Sequence, residues 1–200
     1  MGFIEMNRYP PLALENMSWE QRRVYHAIMQ RRKPSVSSKG GLSGPFVPLV
    51  YVPEILDRLQ YLGEYCRFST AVSPKLRELA IIIVARHVAA QLEFYVHAWE
   101  AHEFGLAQSI IDAIANQQEP EGMDVEESLI YHFCTSLHQE GKVPDDLFDR
   151  FERQFGKAAA IDVMVISGYY GTLGMVLNVS KAAPPDYLAG FEPAFSVPND

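Results

Sequence analysis

At 200 residues, 48% of them apolar and 21% charged, the chain is long enough to bury a core of its own, which argues against wholesale disorder. Its formal charge of −8 leaves no broad basic face, so neither nucleic acid nor an anionic membrane surface is expected as a partner. The two cysteines, Cys66 and Cys134, form neither a CxxC pair nor a metal-ligand pattern. Two lone thiols point to a reducing compartment and to small core residues. The N-terminal stretch to Asn16 is punctuated by prolines and has no basic segment leading into an apolar run. It is expected to form an extended arm over residues 1–17, lying on the surface or on a neighbouring subunit, in a cytoplasmic protein.

Ser18-Trp19-Glu20-Gln21 is a capping box, in which the serine hydroxyl accepts a free backbone N–H while Gln21 reaches back, and a helix to about residue 32 follows. From 34 to 48 the chain is rich in Ser, Gly and Pro, which predicts a flexible loop without helix or central strand. Pro53 suits a first helical turn, and Ile55, Leu56, Leu59 and Leu62 repeat at helical spacing after it. Ser73-Pro74 opens the next helix, with Leu76, Leu79, Ala80, Ile83 and Val84 as its buried stripe.

The helical pattern then continues to Phe104, where Gly105 is a stop. A single helix over 74–104 would measure roughly 45 Å, too long for a domain of this size. A break near Ala89–Gln91 is therefore expected, so that two helices fold back on each other. Further helices are predicted over 106–116, 125–140, 144–155 and 158–179, with Gly141 and Gly156 as stops. The Ile- and Val-rich run at 79–88 resembles a strand, but its length and the helical pattern on both sides decide for helix. The apolar stretch at 158–177 is interrupted by Asp162, Ser167, Thr172 and three glycines, and reads as a buried helix and not a membrane span. The reading is one all-α domain over residues 1–200.

Glu93 and His97 are four residues apart, on one face of a helix, and a chain that folds back near Ala89 brings Glu78 to the same spot. A carboxylate beside an imidazole raises the histidine pKa and sets its tautomer, while burial beside a second carboxylate raises a glutamate. Such tuning serves acid–base chemistry. An i,i+4 Glu–His pair is equally an ordinary helix brace, and spacing alone does not separate the two.

The segment from Leu76 to Arg86, then Glu93-Phe94-Tyr95-Val96-His97, Ala101 and Gly105-Leu106, resembles the signature of the carboxymuconolactone decarboxylase-like family. Gly44-Pro45-Phe46 with Pro53-Glu54-Ile55-Leu56 is similar to the segment that precedes that signature. Phe151 to Phe155 and Gly168 to Asn178 are similar to its last two helices. The resemblance implies the compact all-α fold of the alkylhydroperoxidase D type and a homo-oligomer, a trimer or a multiple of one.

In the peroxidase branch of that superfamily a Glu, a CxxC pair and a His occur in order. Laid on this chain they fall on Glu78, Ala90, Glu93 and His97, so both thiols are missing and dithiol peroxidase chemistry is disfavoured. The resemblance is instead to the cysteine-free, decarboxylase-type branch. It implies a cofactor-independent lyase acting on a small carboxylated lactone or cyclic acid, as in 4-carboxymuconolactone decarboxylation.

In that reading His97, Glu93 and Glu78 are the catalytic groups, with His97 as proton donor or enolate partner, Glu93 orienting it and Glu78 relaying protons. Arg86 or Arg77 would grip the substrate carboxylate, and Phe46, Tyr95 and Tyr169 in the matched segments would line the pocket. No metal or organic cofactor is expected, because the lactone itself is the electron sink. Isomerisation or hydrolysis of a related compound, or a non-catalytic small-molecule-binding oligomer, are the alternatives.

His102 lies about 140° around the helix from His97 and cannot pair with it on zinc. Gly168, Gly171 and Gly174 follow no strand, so close helix packing accounts for them better than a dinucleotide fingerprint.

Overall fold

Ten consecutive residues, Leu76 to Ala85, are buried along one helix. A helix apolar on every side has to be surrounded by other elements. The computed structural model describes residues 7–31, 41–182 and 194–196. A 3-10 turn at Leu14–Asn16 precedes α1 (Trp19–Arg31), α2 (Phe46–Leu49), α3 (Pro53–Phe68) and the central α4 (Pro74–His87). Then come α5 (Gln91–Glu103), α6 (Gln108–Ala115), α7 (Val125–Glu140) and α8 (Asp145–Ser180). The described residues contain no strand. Helices α5, α6, α7 and α8 enclose α4, and α1 and α2 join through α3 on the α8 side.

Local chemistry sets the ends. At α1 the Ser18 N–H donates to Gln21 Oε1 at 2.8 Å and the Gln21 N–H donates to Ser18 Oγ at 3.3 Å, which is the expected capping box. Ser73 caps α4, with Pro74 in its first turn. Gly141 ends α7 in the left-handed region, and Gly156, at φ 81 and ψ 167, divides α8 into the two limbs expected at 144–155 and 158–179. The C-terminal limb is long and apolar enough to cross a membrane by composition, but 61% of its most apolar window is buried inside the protein.

One expectation is corrected. The stretch 34–48 overlaps the short helix α2: Pro45 and Pro48 stand at or just inside its start, where a missing N–H breaks no helical hydrogen bond. The rest of that stretch, up to residue 40, lies outside the described residues. Residues 7–17 of the expected arm rest on their own chain. The Arg8 N–H donates to the Ser180 carbonyl at 2.9 Å, and Tyr51 Oη donates to the Pro10 carbonyl at 2.9 Å.

Candidate active site

The α4–α5 turn sits where helix length demanded a break. Ala89 takes φ 54, the left-handed conformation that reverses a helix. The Ala90 N–H donates to the Ala85 carbonyl at 2.8 Å and the Ala89 N–H to the Arg86 carbonyl at 3.1 Å, closing the last turn of α4. From α8, the Asn178 side-chain amide donates to the Val88 carbonyl at 2.7 Å. Gly174 lets α8 approach this turn, since a Cβ there would lie 2.7 Å from Val88 Cγ2 and 2.9 Å from Ala90 Cβ.

Folding back at Ala89 brings Glu78 of α4 against His97 of α5, with Nδ1 2.6 Å from Glu78 Oε2. The other ring nitrogen, Nε2, lies 3.5 Å from Glu93 Oε1, and Glu100 Oε2 lies 3.8 Å from Nδ1. All three expected residues thus converge, and all are buried, at 0% (Glu78), 6% (Glu93) and 4% (His97) exposure. Arg77 donates from Nε and Nη2 to Glu78 Oε1 at 3.0 and 2.9 Å, and from Nη1 to the Arg67 carbonyl. Arg67 Nη2 donates to both oxygens of Glu100 at 2.8 and 2.9 Å. The Tyr170 ring packs edge-on to His97 with centroids 4.9 Å apart.

Three carboxylates therefore face two guanidiniums and one imidazole, and the cluster is neutral when His97 carries a proton. Burial alone would push the imidazole down. The Glu78 charge and hydrogen bond, followed by Glu93, override it and raise His97 to about 10. Glu78 responds in kind: burial raises it, but His97 and then Arg77 outweigh that and leave its carboxyl below the usual range. His97 is an imidazolium at neutral pH, and Glu78 is its principal partner in place of the expected Glu93.

The other expected residues are placed less centrally. Arg77 is bound to Glu78. Arg86 points away, donating Nε–H to the Ala115 carbonyl at 2.7 Å. Phe46 is a core residue of α2, and Tyr169 is buried against Gly63, where a Cβ would lie 2.2 Å from its hydroxyl. Tyr95 lines an open cleft of about 500 Å³ between α5 and α6, whose walls include none of Glu78, Glu93 and His97. That cleft lies around α5 from the His97 face.

Sequence reading missed Glu100 and Arg67. Glu100 carried a signal, being three residues from His97 on the same helix face. Arg67 gave none, because it belongs to α3 and meets the cluster only through tertiary folding. Glu78, His97 and Glu100 offer ligand atoms within 4.8 Å of one another, as a cation site would. Arg67 and Arg77 already occupy those carboxylates, and His97 Nδ1 spends its proton on Glu78, so the set fits an ion poorly. Cys66 and Cys134 are fully buried and free, and burial pushes their thiols up to about 11 and about 12. Burial and a raised pKa both disfavour the thiolate form that a nucleophile needs.

No family model matches the sequence, and no curated protein matches it. Solved structures do match. An AhpD-designated protein of unknown function from Agrobacterium tumefaciens is 16% identical, with a TM-score of 0.59 over 68% of this chain and 94% of that one. An uncharacterized peroxidase-related protein with an alkylhydroperoxidase AhpD core, from Ralstonia eutropha JMP134, is 17% identical, with a TM-score of 0.66 over 93% of this chain and 97% of that one. The chain has the all-helical, alkylhydroperoxidase D-like fold. Where the dithiol pattern needs cysteines, it carries Ala90 and Glu93.

Proposed function

We propose that this protein is a cofactor-independent acid–base enzyme, most simply a decarboxylase of a small carboxylated lactone or cyclic acid. The reading is carried by the buried Glu78–His97–Glu93 chain, in which one imidazolium is held between two carboxylates on helices that fold back at Ala89. In such a reaction the carboxylate leaves as CO2 and its bonding electrons pass into the lactone carbonyl as an enolate. The His97 imidazolium, oriented by Glu93, lowers the energy of that enolate; transfer of its proton to carbon restores the C–H bond, and the neutral imidazole is reprotonated by relay through Glu78. Isomerisation or hydrolysis of a related compound would draw on the same groups. Dithiol peroxidase chemistry is not part of the reading, because the chain has no CxxC pair and carries Ala90 and Glu93 at the two thiol positions.

The burial of the triad, and its absence from the walls of the α5–α6 cleft, favour a second reading: a helix brace in a non-catalytic binding protein. CO2 release from 4-carboxymuconolactone and related carboxy-lactones, measured beside melting temperature, separates the two. In the enzyme, His97→Ala loses about 10²–10⁴-fold in turnover, and Glu93→Gln and Glu78→Gln lose activity per folded molecule. Cys66→Ser with Cys134→Ser leaves activity intact. Variants that melt lower yet keep full specific activity make the triad a brace. A homo-oligomer, trimeric or a multiple, and a cytoplasmic location complete the proposal.

A further inference from the structure

Away from the His97 cluster, the guanidinium of Arg86 has no carboxylate partner among the described residues. It donates Nε–H to the Ala115 carbonyl, and it lies over the ring of Phe195, whose centroid is 4.1 Å from Cζ. Partial burial pushes this guanidinium down, as expected for a cation drawn from water without an anion. The covering ring comes from the far end of the chain. Phe195 is 9% exposed, and its edge meets the Phe94 ring at 5.3 Å between centroids. Its carbonyl accepts from the side-chain amide of Gln91, whose own Oε1 is buried without a partner. Residue 194, its neighbour, lines the cleft of about 500 Å³ that Phe94, Tyr95, Trp99 and His102 also border. The slot therefore holds a benzyl group and a carbonyl oxygen, beside open volume, over a cation that has no carboxylate partner among the described residues.

We infer that this slot is a binding site for a small arylalkanoic acid, a phenyl ring on a short chain ending in a carboxylate, which Phe195 occupies when no ligand is bound. The ring takes the place of Phe195 between Arg86 and Phe94, where a cation–π contact favours an aromatic over an aliphatic group. The carboxylate takes the place of the peptide carbonyl on the Gln91 amide and brings a negative charge into the slot of Arg86, which has no carboxylate partner among the described residues. None of Arg86, Gln91, Phe94 and Phe195 belongs to the Glu78–His97 network, so the inference stands apart from the proposed decarboxylation.

3-Phenylpropionate reproduces the ring, methylene, α-carbon and carbonyl of Phe195 with a carboxylate at its end. Calorimetric titration into the full chain is expected to show Phe195→Ala binding it about tenfold or more tightly than the wild type, since an occupied slot reduces apparent affinity by its open fraction. In the Phe195→Ala background, Arg86→Gln loses that affinity while Arg86→Lys keeps part of it. The neutral 3-phenyl-1-propanol binds more weakly than the acid. Where thermal melting shows Phe195→Ala to be poorly folded, Phe195→Leu keeps an apolar plug without the ring and is expected to gain affinity in the same direction. Equal affinity in wild type and the folded Phe195 variant, or affinity that survives Arg86→Gln, overturns the inference.

Discussion

The proton on His97 is held by Glu78 at 2.6 Å in a nearly dry site, so its titration is coupled to the stability of the fold. With a folded pKa of about 10 against an ordinary value near 6.5, its contribution is complete below about pH 6.5 and is lost as pH rises toward 10. His138 has the opposite sign. Burial, then the stacked His87 ring at 5.0 Å, push it down to about 4. The fold holds it neutral, so that contribution is present above about pH 6.5 and is lost as pH falls toward 4. Urea unfolding across this range is expected to give stability that declines on both sides of near-neutral pH. Glu78→Gln leaves Arg77 and His97 without their carboxylate, costs about 3–5 kcal/mol at pH 7 and flattens the alkaline limb. His138→Gln flattens the acid limb and leaves the alkaline one in place. An alkaline limb unchanged in Glu78→Gln would mean that another group carries it.

At the scale of elements, two glycines on the C-terminal limb of α8 meet opposite surroundings. Gly174 faces the Val88–Ala90 turn, where an added Cβ finds atoms at 2.7 and 2.9 Å, whereas nothing lies within 4 Å of one added at exposed Gly168. Alanine gains about 1 kcal/mol over glycine in a helix interior, while overpacking a dense contact costs about 1–3 kcal/mol. Gly174→Ala is therefore expected to lower the melting temperature and to disturb the α4–α5 turn that holds Glu78 against His97. Gly168→Ala is expected to raise it by the equivalent of about 0.5–1 kcal/mol. Thermal melts of the two single variants check both signs. A fall in Gly168→Ala would mean that another surface covers this face. The sequence signalled close packing along the glycine row but not which member faces the turn, because the partner atoms lie some eighty residues away.

At the scale of the molecule, the apolar residues around α2 turn inward: Phe46, Leu49 and Val50 are core residues of this chain. Other apolar side chains remain outside. Ile55, Leu62 and Phe68 on α3 are exposed, as are Ile161, Met164 and Met175 on α8. The two helices touch through Tyr65, whose hydroxyl donates to Asp162 Oδ1 at 2.8 Å. An apolar surface spread over two adjoining helices favours a covered face in solution. Light scattering at micromolar concentration is expected to return three times the 22.6 kDa chain mass, or a multiple of that; the chain mass alone contradicts the proposed oligomer.

Periodicity, stop residues and a length limit were sufficient to derive the helices, the break near Ala89 and the meeting of Glu78, Glu93 and His97. These follow from interactions between residues close in sequence and from the reach of a helix. The helix at Phe46–Leu49 escaped because proline and glycine content says where long helices fail, not where a single turn forms. Charge balance was likewise out of reach. Arg67 enters from α3 and Arg77 turns from substrate binding to Glu78, so Glu78 and not Glu93 governs the proton on His97. Which carboxylate dominates depends on differences of about an ångström between 2.6 and 3.5 Å contacts across separate helices, and on how completely water is excluded. Residue spacing encodes proximity along one helix; the packing of α3, α4, α5 and α8 decides the dielectric and the partner of each charge.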